Sequence, residues 1–261
     1  MATKKATSTK RKVTTKSASV SAYSSVRDHV ASSLRSVGLW RALSAEFIGT
    51  FLLASIIIVG QGQPIFVLFG LVGIVLMIGA VSGAHVNPAV TVAAWVTKRI
   101  GWLRALGYIL VQVLGAAVAF FTLKAFLGGV DAPSAEAVAY GATAQQLFQA
   151  NPVAELAGKE WYALFAEVLG TAILGYAVAH GTRVKDSLTS AFSNGLGIFV
   201  ALMVGITVAG YVGASSIINP AVATALQAFD ASFWSYAIYA LAPAIGAIVG
   251  FVLYDVVRGN K

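Results

Sequence analysis

The 261-residue chain contains no cysteine, three histidines and few charged residues. The lack of cysteine excludes disulfide bonds, thiolate metal sites and cysteine nucleophiles. Because His29, His85 and His180 are the only histidines, no histidine-based metal site and no cofactor is expected. Charged residues make up 11% of the chain, whereas a soluble domain carries roughly 25%. This deficit leaves too little polar surface to face water, so we predict that the chain is not a soluble enzyme.

Hydrophobic residues make up 58% of the chain and occur in long runs. A transmembrane helix needs about 20 apolar residues. Six stretches are long enough, at about 41–60, 64–81, 105–127, 160–180, 188–209 and 233–254. Two further apolar segments, 87–97 and 219–228, are too short to cross a bilayer. The sequence therefore predicts an all-α polytopic membrane protein with six transmembrane helices and two re-entrant half-helices.

The net charge of +8 is concentrated near the N-terminus. Residues 1–41 contain nine Lys or Arg and one Asp, whereas residues 42–261 contain equal numbers of basic and acidic residues. Residues 1–38 are predicted to form a basic, disordered cytoplasmic tail with anionic lipid near it. Within it, residues 26–37 are either a short interfacial helix or a solvated linker. Because the charge is confined to this tail, no nucleic-acid partner is expected.

The segments between the predicted spans differ in charge on the two sides of the membrane. If the N-terminus is inside, the inner segments 98–104 and 181–187 carry Lys and Arg, and the long outer loop 128–159 carries three acids and one Lys. Cytoplasmic loops carry an excess of Lys and Arg. We therefore expect a multi-pass protein of the plasma (inner) membrane with cytoplasmic N- and C-termini.

The sequence also repeats itself. Residues 45–50 (AEFIGT) return as 166–171 (AEVLGT), and residues 87–90 (NPAV) return as 219–222. Each half has three predicted spans, and an odd number of crossings inverts the second half relative to the first. The membrane domain, residues 39–256, is thus predicted to contain repeat 1 at about 41–127 and repeat 2 at about 160–254, linked by the outer loop 128–159. Such inverted repeats with interrupted helices place a transport site near the bilayer midplane.

Both half-helices begin with Asn-Pro-Ala. Asn is a preferred N-cap and Pro is preferred at the first helical position. A single Asn-Pro is no more than a helix start, and Asn151-Pro152 in the outer loop is predicted to be only a turn or cap. Two matched copies would place two positive helix ends and two amide donors at the centre of a pore. That arrangement passes neutral solutes and disfavours cations.

Residues 82–91 (SGAHVNPAVT) resemble the first signature loop of the major intrinsic protein family, the aquaporins and aquaglyceroporins. Residues 45–51 resemble the first span of that family, and the resemblance covers about 40–256. It implies a passive channel for water or small neutral solutes such as glycerol, assembled as a homotetramer in the lipid bilayer. The pore motifs that it implies are Asn87, Pro88, Ala89, Asn219, Pro220 and Ala221. The residues that it implies form or support the pore loops are Gly83, Ala84, His85, Val86, Glu46 and Glu167.

Two glutamates within the predicted spans leave one alternative open. Intramembrane acids are functional by default, and Glu46 and Glu167 could couple transport to protons. The alternative to a channel is therefore an inverted-repeat secondary transporter coupled to protons or ions. The resemblance instead implies that both glutamates are buried and hold the pore loops.

The chain departs from the family pattern at Val222. The family usually has Arg directly after the second Asn-Pro-Ala, where it narrows the outer constriction. Ungapped counting from the two Asn residues puts the other constriction positions at Val67, Thr207 and Ser216. A filter of these four residues has no charge and no aromatic ring. We expect it either to be wider than a strict water filter or to narrow by dewetting.

Overall fold

The computed structural model describes residues 27–28, 30–128, 133–141 and 146–259. Within these residues every regular element is helical. The six long helices are α1 (Val37–Val59), α2 (Pro64–Ser82), α4 (Trp102–Gly128), α6 (Glu160–Gly181), α7 (Ser187–Gly210) and α9 (Phe233–Arg258). The shorter elements are the half-helices α3 (Pro88–Val96) and α8 (Pro220–Ala225), the helix α5 (Ala135–Ala139) and a 3-10 turn at Val153–Leu156.

The six long helices are apolar enough and long enough to cross a membrane. A rise of about 1.5 Å per residue lets helices of this length cover the roughly 30 Å of hydrocarbon. The prediction of six spans and two half-helices is confirmed, with span ends shifted by up to four residues. Six crossings bring the start of α1 and the end of α9 to the same face of the bundle, which we call the terminal side. The other face is the opposite side.

Each half-helix is followed by a residue in the left-handed backbone conformation. Lys98 and Gln227 follow α3 and α8 with φ of 60° and 55°. A left-handed residue of this kind terminates a helix because the chain can no longer continue the α conformation. Consequently α8 ends at Ala225, and the predicted segment 219–228 is helical over a shorter range than expected.

The two repeats are held together by equivalent close crossings. A Cβ atom on Gly115 of α4 would overlap the carbonyl oxygen of Phe47 in α1, and a Cβ on Gly246 of α9 would overlap that of Val168 in α6. Glycine lets the two backbones approach closely, as in many membrane helix pairs. The crossing of α1 with α4 is therefore equivalent to the crossing of α6 with α9.

Each half-helix packs against the third span of the other repeat. The half-helix α3 contacts α9, and α8 contacts α4, while α2 packs on α7 between the repeats. The six spans therefore surround two half-helices that come from opposite faces. Non-helical backbone at membrane depth is tolerated in such a place because protein or an aqueous cavity surrounds it.

The last span is interrupted by a π-helical segment at Ala237–Leu241. The segment ends two residues before Pro243, whose ring would clash with the carbonyl group four residues earlier in a regular α-helix. The wider π turn accommodates the proline without breaking the span. The sequence predicted a single uninterrupted helix here, and Pro243 is the physical reason for the difference.

Most of the predicted basic tail lies outside the described residues. Of the segment 26–37, residues 30–34 are helical, and Trp40 donates a hydrogen bond from Nε1 to the carbonyl of Leu34 at 2.7 Å. Trp40 and Trp102 lie at helix ends on the terminal side, and Trp161 lies at the start of α6 on the opposite side. Tryptophan at these depths is typical of both membrane–water interfaces.

Candidate functional site

The two Asn-Pro-Ala motifs cap the two half-helices. Asn87 Oδ1 accepts a hydrogen bond from Ala89 N at 2.8 Å, and Asn219 Oδ1 accepts one from Ala221 N at 3.0 Å. Pro occupies the first position of each half-helix, where its missing N–H is not needed. The local sequence thus fixes where each half-helix starts.

The two caps also bind each other's loops across the centre of the bundle. Asn87 Nδ2 donates to the carbonyl of Ile218 at 2.9 Å, and Asn219 Nδ2 donates to the carbonyl of Val86 at 2.9 Å. Each bond uses one of the two hydrogens on the Asn amide. The half-helices therefore meet tip to tip, with two amide groups at the meeting point.

The residue before each Asn has an unusual backbone conformation. Val86 and Ile218 have φ of 41° and 51°, which is costly for β-branched side chains. Their side chains pack against glycines of the first span in each repeat: a Cβ on Gly49 would overlap Val86, and a Cβ on Gly170 would overlap Ile218. The repeated Gly of residues 45–50 and 166–171 thus makes room for the pore loops.

Two fully buried glutamates bind the backbone of these loops. Glu46 accepts from the backbone N–H of His85 at 2.9 Å and of Val86 at 2.7 Å. Glu167 accepts in the same way from residues 217–218, at 2.5 and 2.7 Å. Carboxylates form strong hydrogen bonds with N–H donors. Each acid thus accepts hydrogen bonds from two backbone N–H groups of one pore loop. Without the acid, these groups would have no hydrogen-bond partner within the membrane.

The first pore loop has a larger polar network than the second. Gln112 Nε2 donates to Glu46 Oε2 at 2.7 Å and to Thr91 Oγ1 at 3.0 Å, and Thr91 Oγ1 lies 3.2 Å from Nδ1 of His85. At the position equivalent to Gln112, repeat 2 has Pro243. The sequence did not predict a role for Thr91, although the Gln within an apolar span is a signal for a buried polar network.

An outer cavity of about 440 Å³ opens on the opposite side. Val67, Thr207, Ser216 and Val222, the four predicted constriction residues, all line it. None of the described residues that line this cavity is charged. A volume of this size accepts a small organic molecule as well as water.

Two of the four residues lie deep in the wall of the outer cavity. Val67 and Val222 are each only 1% exposed. The Thr207 hydroxyl donates to the carbonyl of Met203 in its own helix at 2.7 Å. Ile206, which our sequence analysis did not name, lines the cavity beside Thr207. Ungapped counting has no means of deciding between neighbouring residues of one helix.

The outer loop contributes directly to the site through Asn151. Its side-chain Nδ2 donates to the carbonyl of Gly213 at 2.8 Å, and its backbone N–H donates to Ser215 Oγ at 2.9 Å. Asn151 also lines the outer cavity. The prediction of a turn or cap holds for Pro152, which precedes the 3-10 turn Val153–Leu156, but it was incomplete for Asn151, which also binds the second pore loop.

The pore narrows towards the terminal side. The segment beyond the two caps has room for about one water molecule, some 10 Å³. Its polar lining residues are His85, Asn87, Asn194 and Asn219. Its lining is otherwise mainly aliphatic side chains such as Leu53, Leu71, Leu174, Val178 and Ile198.

Charged groups of the terminal side hold α3 to two spans. Arg99 donates from Nη2 to Asp255 at 2.9 Å and from Nη1 to the carbonyl of Ala179 at 3.1 Å, and Arg183 also binds Asp255 at 3.1 Å. The Arg99 guanidinium lies 4.7 Å from the ring centroid of Phe251. Burial lowers the pKa of Arg99 from its usual value, and the bond with Asp255 opposes that shift. The cluster ties the end of the first half-helix to α6 and α9.

Comparisons with known proteins show the family to which the chain is similar. The family described as Major intrinsic protein matches residues 33–254. Aquaporin AqpM of Methanothermobacter marburgensis is 30% identical, over 84% of this chain and 98% of the relative. Glycerol uptake facilitator protein-like 6 of Lactiplantibacillus plantarum is 32% identical, over 80% of this chain and 94% of the relative.

A solved structure shows the same fold. The aquaglyceroporin from Plasmodium falciparum superposes with a TM-score of 0.61 at 20% identity, covering 84% of this chain and 97% of that one. At this identity the likeness bears on the fold alone. Together with the family match over most of the chain, it establishes that this multi-pass membrane protein belongs to the major intrinsic protein family.

Proposed function

We propose that the protein is a passive transmembrane channel for water and small neutral solutes such as glycerol. The proposal rests on two reciprocal hydrogen bonds. Asn87 donates to the carbonyl of Ile218 in the second pore loop, and Asn219 donates to the carbonyl of Val86 in the first. These bonds hold two helix N-termini against each other at the centre of the pore. A permeating water accepts hydrogen bonds from the amides there and must reorient, which interrupts a proton wire. The positive helix ends also raise the energy of a cation.

The outer filter consists of Val67, Thr207, Ser216 and Val222, with Ile206 beside Thr207. Their common position in the wall of one uncharged cavity supports this assignment. Without an Arg at position 222 the filter lacks a fixed cation and its five N–H donors. The filter therefore admits solutes larger than water, and cation exclusion rests on the half-helices.

The carboxylates of Glu46 and Glu167 hold the pore loops by hydrogen bonds and do not take part in proton transport. Each accepts two backbone N–H bonds, and a carboxylate that released these donors would leave them without partners in the membrane. Proton coupling would require such a release in every cycle. A passive channel does not.

The assembly and its setting follow from the family and from the charge distribution. The protein forms a homotetramer with one pore per subunit in the plasma (inner) membrane. Both termini are cytoplasmic, so the terminal side faces the cytoplasm and the outer cavity faces away from it. Anionic lipid lies near the basic N-terminal tail, as the concentration of Lys and Arg there indicates.

Uptake of radiolabelled glycerol into proteoliposomes tests the passive mechanism. A channel speeds equilibration, and the internal concentration stops at the external one whether or not a proton or sodium gradient is imposed. Empty liposomes give the background rate. Accumulation above the external concentration under either gradient would establish a coupled carrier and refute the proposal.

A further inference from the structure

The side-chain oxygen of Asn194 is among the buried polar atoms that have no hydrogen-bond partner in the part of the chain that the structure describes. Asn194 lies on α7, is 3% exposed and lines the narrow segment of the pore. Its side-chain oxygen Oδ1 is fully buried and accepts no hydrogen bond there. Buried polar atoms in proteins are nearly always hydrogen-bonded, to protein or to an ordered molecule. The structure thus leaves this acceptor without a donor from any described residue, and open to a donor from a bound molecule.

The neighbouring helix is shaped around this amide. A Cβ atom placed on Gly181, in the last turn of α6, would lie 2.9 Å from Asn194 Oδ1 and 3.2 Å from Nδ2. Any larger residue at position 181 would push the amide out of its place. Gly181 thus sets the position of the Asn194 side chain beside the pore.

Asn194 occupies a position that the internal repeat makes equivalent to the outer filter. On α7, Asn194 and Ile198 line the narrow segment, and on α2 the pore is lined by Val67 and Leu71. Gly49 of α1 faces Ile74 and Ile78 of α2, and its repeat counterpart Gly170 faces Ala201 and Gly205 of α7. The second spans therefore correspond at an offset of 127 residues (201 − 74 and 205 − 78), which pairs Val67 with Asn194. Because the repeats are inverted, the counterpart of Val67 lies in the terminal half of the pore.

The surroundings select the kind of donor that reaches Asn194. The nearby lining contains no charged side chain among the described residues, and it has room for about one water molecule. An acceptor oxygen in such a narrow, uncharged space binds a neutral group with an O–H or N–H. Water, a polyol hydroxyl and a urea amide all carry such a group.

We propose that Asn194 is a second specificity-determining residue, which accepts a hydrogen bond from each permeating neutral solute in the terminal half of the pore. This inference rests on the proposed channel function. The pore then offers polar groups at two levels beyond its uncharged outer filter. The first level is the paired caps at the centre, and the second is Asn194, between the centre and the terminal side. Solutes without an O–H or N–H group form no hydrogen bond with Asn194.

Substitution of Asn194 measures the contribution of this oxygen. Asn194→Leu keeps the size of the side chain and removes the acceptor, whereas Asn194→Ser keeps an oxygen. Loss of one hydrogen bond in the narrow segment should lower water permeability of proteoliposomes about tenfold for the Leu variant. The Ser variant should retain at least half of the parent value. Leu196→Ala, on the exposed face of the same helix, should leave permeability unchanged.

Two results would overturn the proposal. One is an active parent whose Asn194→Leu variant conducts water within twofold of it. The other is an experimental structure of the full chain, at a resolution that shows ordered water, with no water within hydrogen-bond distance of the Asn194 amide. If the parent protein conducts nothing, the proposed channel function is refuted. The presence or absence of an ordered water at the Asn194 amide still tests the present inference in that case. The expected result is a water at the amide in the parent and none in Asn194→Leu.

Discussion

Val222 tests the proposed outer filter most directly. It follows the second Asn-Pro-Ala motif and lies in the wall of the outer cavity. Val222→Arg adds a long cationic side chain to an uncharged cavity, so we expect glycerol and urea permeability to fall at least tenfold while water permeability falls less than threefold. Stopped-flow light scattering of proteoliposomes under each solute gradient measures both quantities.

Val222→Leu is the matched control, since it adds volume without charge or donors. It should lower glycerol permeability less than Val222→Arg does. Equal behaviour of the parent and Val222→Arg towards all three solutes would show that position 222 does not belong to the selectivity filter. The ungapped placement of the second pore loop would then be wrong.

The buried glutamates give a second prediction at the residue scale. Glu46→Gln or Glu167→Gln replaces one acceptor oxygen with an NH₂ group that faces a backbone N–H. One buried donor is left without an acceptor, which costs about 1–3 kcal/mol. Thermal unfolding in detergent should show a lower midpoint for each variant. The exposed Glu155→Gln should unfold like the parent, and the same midpoint for Glu46→Gln would contradict a loop-holding role.

The sequence was most informative about residues whose role is local or repeated. Asn87 and Asn219 stood out because each starts a half-helix and has a matched copy. Asn151 and Asn194 did not, because their roles arise from loop docking and from the approach of a second helix. No pattern along the chain marks a contact between segments separated by 62 residues, as in the bond from Asn151 to Gly213.

At the scale of elements, close helix crossings at glycine residues hold the spans of each repeat together. Gly115→Ala places a methyl group against the backbone of α1, where no side chain can move aside. Overpacking of this kind typically costs about 1–3 kcal/mol. We expect a lower unfolding midpoint in detergent and a smaller yield of folded protein. Gly73→Ala in α2 is the control, because its Cβ meets nothing within 4 Å. If both variants unfold at the same temperature, close approach at Gly115 is not needed.

The starts of the elements were easier to predict than their ends. Asn followed by Pro fixes the first residue of each half-helix. The ends depend on Lys98 and Gln227 in a left-handed conformation, for which neither residue type is a signal. The π turn before Pro243 likewise depends on how the chain relieves one steric clash. Element type and order followed from hydrophobic length, whereas these local adjustments did not.

At the scale of the whole molecule, the outer cavity and the narrow segment lie between two inverted halves, and no Asp, Glu, Lys or Arg is among the described residues that line them. On the terminal side, Arg99 and Arg183 both form ion pairs with Asp255. Cation exclusion is therefore assigned to the two half-helix ends. We expect liposomes that contain the protein to conduct protons no more than twofold faster than empty liposomes. An entrapped pH-sensitive dye after an imposed pH step measures this rate. A large proton leak would refute the role of the paired helix ends.

The central claim is that the pore conducts water and small neutral solutes passively. Stopped-flow light scattering of proteoliposomes, compared with empty liposomes under sucrose, glycerol and urea gradients, tests it most directly. We predict faster shrinkage under the sucrose gradient and, with Val222 in the filter, faster re-swelling under the glycerol or urea gradient. Shrinkage and re-swelling rates equal to those of empty liposomes, from protein shown to be folded, would contradict the account.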